Sequence, residues 1–157
     1  MNTYAVIIFA ALLAEYVLNL ISDGLNLRNL QSELPAEFSD TFDEDEYAKA
    51  QDYTRTRTRF GFVSATFGLL VLLAFWFGGG FEWLDTVVRG WDFGPIVTGL
   101  LYLGLLVLGR GVLSLPFSVY STFVIEERFG FNETTLKTFV LDLLKSLALG
   151  VAIGGPL

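Results

Sequence analysis

Long apolar runs separated by short polar connections set the architecture of this chain. The first run covers residues 4–21 and carries no Lys or Arg before Arg28. At 1.5 Å per residue it is long enough to cross a hydrocarbon core of ~30 Å. A secretory signal peptide needs a basic start, so a retained transmembrane helix is predicted instead. Glu15 lies within it, with Asn19 one turn further on. An acid at that depth either is satisfied against neighbouring helices, sits near the interface, or serves a function. Ala10 and Ala14 form a small-xxx-small pair that permits close helix contact.

Residues 23–59 form the one hydrophilic connection. Gly24 and Asn26 are expected to end the first helix, and Pro35 to fix a break. Ser39 or Asp43 then caps a new helix whose first turn, Asp43-Glu44-Asp45-Glu46, is acidic. Negative charge there complements the positive end of the helix dipole, so the cluster reads as a solvated cap rather than a metal site. Asp52 is spaced to pair with Arg55. Arg55, Arg57 and Arg59 lead without a stop signal into an uncharged run over 60–81. The pattern therefore predicts one helix passing from water into lipid, with its arginines anchored at the interface.

Gly78-Gly79-Gly80 closes this second span, and residues 81–92 are expected to be a short connection with Trp83 and Trp91 as interface anchors. Residues 93–125 contain a single charge, Arg110. One straight helix of that length would measure ~50 Å, so it must protrude or break, and Pro116 is placed to kink it. Arg110 should face a partner carboxylate or a water-filled space. The charged connection Glu126-Glu127-Arg128 follows, then a turn at Gly130, with Asn132 expected as the cap of the next helix. Asp142 and Lys145 share a face, and the chain is apolar from Ser146 to Leu157. Residues 138–157 thus read as a fourth, incomplete span. The prediction is an all-α polytopic transmembrane domain of four spans, over about 4–21, 60–81, 93–125 and 138–157. Basic residues concentrate in the first and third connections, which places those in the cytoplasm and the amino terminus outside.

Composition agrees. Charged residues make up 17% of the chain, below the roughly 25% of soluble domains, and they cluster in the connections. Ten basic against 17 acidic residues exclude a nucleic-acid surface. The chain has no Cys and no His, which excludes disulfides, histidine proton shuttling and a zinc site of the usual ligands.

The segment LPFSVYSTFVIEERFGFNETTLKTFVLDLLKS, from Leu115 to Ser146, together with FDEDEYAKAQDYTRTRTRFG upstream, resembles the type-1 CAAX prenyl protease family of membrane zinc endopeptidases. The resemblance implies a multi-span helical domain that helps to enclose a chamber. It also implies a zinc held by an HExxH helix and a later glutamate, all C-terminal to the residues present here. In that motif the glutamate is general base on the bound water. No catalytic, cofactor-binding or metal-binding residue is therefore assigned to this chain, and no zinc is expected on it. Zinc, a peptide or protein substrate and a C-terminal catalytic domain belong to the full-length parent. Many relatives carry Lys-His where this chain has Arg128-Phe129. Adjacent carboxylates on a helix point about 100° apart, so Glu126 and Glu127 suit capping or salt bridging to Arg128, Lys137 or the catalytic domain better than acid–base chemistry. Glu15, Arg110, Glu126, Glu127, Arg128 and Asn132 are the candidates for inter-helix contact or domain docking. A non-enzymatic membrane scaffold or assembly subunit is the alternative. A small transporter, suggested by the ionisable residues in apolar surroundings, ranks third because no inverted repeat is visible.

Overall fold

The computed structural model describes residues 2–30 and 43–155. Pro35 and Ser39 lie outside the described residues. Among the described residues, five α-helices occur in chain order, α1 (Thr3–Asn29), α2 (Glu44–Phe77), α3 (Gly80–Arg89), α4 (Pro95–Tyr120) and α5 (Leu136–Gly154), with a π-helical segment, Ser121–Glu126, continuing α4. No strand occurs among the described residues. α1, α2 and α4 with its π extension are long and apolar enough to cross a membrane. The predicted fourth span is a helix, but Lys137, Asp142 and Lys145 in the first half of α5 set it apart from these three.

The chain forms two compact units, Met1–Val71 and Leu72–Leu157. In the first, the Asn2 carboxamide oxygen caps α1 by accepting from the Ala5 amide at 2.8 Å. α1 does not stop at Gly24 and Asn26 as expected but runs to Asn29. A single helix-interior glycine costs only ~1 kcal/mol, which Leu25, Leu27 and Arg28, all good helix formers, can carry. Asp43 is the cap of α2, its Oδ1 accepting from the amides of Asp45 at 2.9 Å and Glu46 at 3.1 Å. α2 then passes from its acidic first turn into the apolar run without interruption, as the pattern predicts. Arg55 donates to Asp52 at 2.9 Å.

The second unit opens on the glycine corner. Gly79 has φ +75°, the left-handed region that favours glycine. A Cβ on Gly80 would overlap the Phe75 ring, and one on Gly78 would stand 2.7 Å from the Ala74 carbonyl oxygen. Phe75 meets Phe81 edge to face, with centroids 4.9 Å apart. The expected connection over 81–92 lies between two candidate spans and holds a short helix, α3, that the sequence pattern does not predict. Leu84 and Val88, one turn apart, are buried, while Glu82, Thr86 and Arg89 are exposed. Arg89 donates to Asp85 at 2.6 Å, and that hydrogen bond and charge hold its guanidinium above the usual pKa. α4 stays α-helical through Pro116 before widening into the π segment. Ser114 and Ser118 on either side of the proline bond back to the carbonyls of Arg110 and Ser114, at 2.9 and 3.3 Å. Together with Leu84 and Val88, Ile125 completes the set of buried apolar side chains among the described residues. Residues such as Ile96, Val107 and Leu136 stay about 70% exposed or more. Water is a poor solvent for such a surface, and lipid suits it.

Candidate docking surface at the turn after the third span

The turn from Glu126 to Thr135 is built by three successive backbone devices. The π segment ends in a Schellman closure, in which the Phe131 amide reaches the Glu126 carbonyl at 2.8 Å and the Gly130 amide reaches that of Glu127 at 3.0 Å. This closure requires a left-handed residue, and Gly130 supplies it at φ +68°. Asn132 next accepts from the Thr134 amide at 2.7 Å, an Asx turn. Thr135 is the true cap of α5, its Oγ1 accepting from the Thr138 amide at 3.2 Å. The expected N-cap role of Asn132 is thus corrected. Its side chain serves the turn three residues upstream, because Thr135 is itself still extended and the helix begins only at Leu136.

The structure brings four of the candidate residues together here. The Asn132 amide group donates to the Glu127 carboxylate at 2.8 Å and so ties the two sides of the turn. Glu127 and Arg128 are exposed, and Glu126 is half-buried. The Arg128 guanidinium lies 5.7 Å from the Phe129 ring centroid. Phe123 and Phe139 pack edge to face at 5.5 Å and join the π segment to α5. The anticipated salt bridges from Glu126 or Glu127 to Arg128 or Lys137 are not seen among the described residues, where Asp52–Arg55, Asp85–Arg89 and Asp142–Lys145 do pair. Glu127 uses a neutral amide instead.

Arg110 lies on α4, about four helical turns before Glu126, and is exposed. It has no carboxylate partner among the described residues. Glu15, on α1 in the first unit, is exposed and likewise unpaired among them. The first unit is instead joined by a pair that the sequence reading missed. Tyr16 Oη lies 2.7 Å from Thr66 Oγ1. Because the Thr66 hydroxyl donates its proton to the Phe62 carbonyl at 2.7 Å, Tyr16 is the donor. The available signal was a polar side chain beside Glu15 in one apolar run and a threonine inside another. Thr66 also lines a shallow groove of ≈ 410 Å³ with Phe62, Val63, Phe67 and Leu70. Its one polar group is already bonded, so the groove has no chemistry to offer.

The described residues do not fit a zinc site. The chain contains no His or Cys, and among the described residues no three acidic groups converge. Asp43, Glu44, Asp45 and Glu46 serve the start of α2, with Asp43 Oδ1 engaged by two amides.

The fold and this turn define the class as an all-α, polytopic integral membrane domain. A family model described as "CAAX prenyl protease N-terminal, five membrane helices" matches residues 25–157, so the chain belongs to that family. Probable CAAX prenyl protease 1 of Schizosaccharomyces pombe is 36% identical over 135 residues, which are 77% of this chain and 28% of that protein. CAAX prenyl protease 1 of Saccharomyces cerevisiae is 34% identical over 138 residues, covering 81% of this chain and 30% of that protein. The crystal structure of S. mikatae Ste24p superposes with a TM-score of 0.87 at 30% identity, covering 99% of this chain and 38% of that chain. This chain therefore spans about three tenths of the length of those curated relatives.

Proposed function

We propose that this chain is the N-terminal membrane region of an integral-membrane zinc metalloendopeptidase of the CAAX prenyl protease kind. The observation that carries the proposal is the superposition on Ste24p over 99% of this chain but only 38% of that one. On this reading α1, α2 and α4 supply part of a chamber wall. The zinc and its ligands reside in a C-terminal catalytic domain, and the substrate is a peptide or protein ending in a CAAX sequence. The turn at Glu126, Glu127, Arg128 and Asn132 is the cytoplasmic surface on which that domain docks, and Glu15 and Arg110 meet helices or water inside the assembly. An exposed ion pair is worth only ~0–1 kcal/mol, so these charges set register while exposed apolar surface supplies affinity. The Glu127–Asn132 bond fixes the turn so that docking does not have to order it.

The test uses the full-length parent and the 157-residue chain side by side. The parent should cleave a farnesylated CAAX peptide in a chelator-sensitive manner. The short chain should neither cleave it nor retain stoichiometric zinc. Zinc bound one-to-one to the short chain, or cleavage by it, would overturn the assignment. A parent that assembles normally but has no peptidase activity would favour a membrane scaffold.

A further inference from the structure

We propose that α3 is a membrane-surface helix whose Trp83 flank sits in the headgroup layer of the bilayer while its charged arc faces water. Successive residues of an α-helix are turned by about 100°. Leu84 and Val88 point into the protein and are buried. Glu82, Asp85 and Arg89 occupy the opposite arc, where Asp85 and Arg89 are already paired at 2.6 Å. Trp83 lies between these two faces and is 63% exposed, so it neither packs in the core nor belongs with the charges. An indole prefers the interface, where its ring is shielded and its N–H stays wet.

The position of α3 in the chain decides which surface meets that flank. Two residues separate α2 from α3, and five separate Arg89 from α4. Both neighbours are long and apolar enough to cross a membrane. A five-residue connection reaches at most ~18 Å, so a ten-residue helix held at both ends cannot leave the interface. Nor can it sink, because each charge taken to the bilayer centre costs at least ~2.5 kcal/mol. Its lipid partner is also defined by charge. Glu82 and Asp85 outnumber the single cation on α3, Arg89, so nothing on α3 selects anionic lipid. The partner is a zwitterionic headgroup layer, held by aromatic contact. This inference rests on the membrane placement of the chain and is independent of the peptidase assignment.

With Trp76→Phe and Trp91→Phe, Trp83 is the one remaining tryptophan. In phosphatidylcholine bilayers its emission should be quenched more by lipids brominated near the headgroup than by lipids brominated near the chain end. Aqueous iodide should have little effect, and adding phosphatidylglycerol or salt should not change the pattern. Stronger quenching by the deep bromines would overturn the proposal by placing Trp83 in the hydrocarbon. Quenching by iodide alone would overturn it by placing the flank in water, and quenching by neither would reveal a covering protein partner. A pattern that follows anionic lipid would overturn the assigned lipid chemistry. A second measurement avoids the tryptophan substitutions at 76 and 91. The chain is free of cysteine, so Thr86→Cys and Trp83→Cys can be compared with a membrane-impermeant charged maleimide. Both positions are exposed in the protein alone, so only the bilayer distinguishes them. Thr86→Cys should react several-fold faster, and equal rates would overturn the proposal.

Discussion

The three glycines at 78–80 turn α2 into α3, each for a separate reason, and they give the sharpest contrasts among the single residues. Gly79 has a left-handed backbone with open space around it, whereas Gly80 is hemmed in by the Phe75 ring. Gly79→Ala should therefore cost ~1–2 kcal/mol from backbone conformation alone, while Gly80→Ala must also displace an aromatic side chain. Gly24, inside α1, has nothing within 4 Å of a new Cβ and an ordinary helical φ. Gly24→Ala should accordingly stabilise by ~0.5–1 kcal/mol. Thermal unfolding of the detergent-solubilised variants checks all three. Tyr16→Phe should cost ~0.6–2 kcal/mol, the range for hydrogen bonds between membrane helices. Unfolding in increasing denaturing detergent measures it, and Thr66→Val should abolish the Tyr16→Phe effect in a double-mutant cycle. The sequence exposed the glycine corner because three consecutive glycines are a strong local signal. It did not expose the Tyr16–Thr66 pair, because two residues 50 positions apart meet only through packing.

At the scale of elements, local chemistry narrows each helix start to a few candidate caps, and the folded backbone selects among them. Of Ser39 and Asp43, Asp43 caps α2, its carboxylate accepting from two amides of the first turn. Asn132, Thr134 and Thr135 all suit a cap, and the Asx turn decided that Asn132 acts upstream while Thr135 starts α5. Thr135→Ala should thus destabilise α5 by ~1 kcal/mol, seen as faster amide exchange at Thr138. Asn132→Ala should instead loosen the turn and leave exchange in α5 nearly unchanged. Nothing in the local sequence announces α3, because its apolar positions are interrupted by Glu82, Trp83 and Asp85. Ten residues are also too few to propagate a helix in isolation. The contact of Leu84 and Val88 with the rest of the unit supplies what the local sequence lacks.

For the molecule as a whole, large apolar side chains on all three candidate spans remain exposed, and two environments are available to cover them. Lipid is one, and the proposed catalytic domain is the other. If that domain docks on the turn after the third span, adding it should raise the Tm of the short chain, and Glu126→Lys with Glu127→Lys should weaken the shift. An unchanged Tm with a demonstrably bound domain would count against this turn as the contact. The sequence by itself determined the fold class, the membrane environment and the family, because hydropathy, charge placement and short motifs are one-dimensional properties written along the chain. Only the tertiary structure decided that 81–92 holds a helix, that Thr135 and not Asn132 opens α5, and that Tyr16 bonds Thr66. It also decided that Glu127 pairs with an amide rather than a cation. Each of these depends on which groups come within hydrogen-bond or packing distance after folding, and residue spacing alone leaves several such partners equally available.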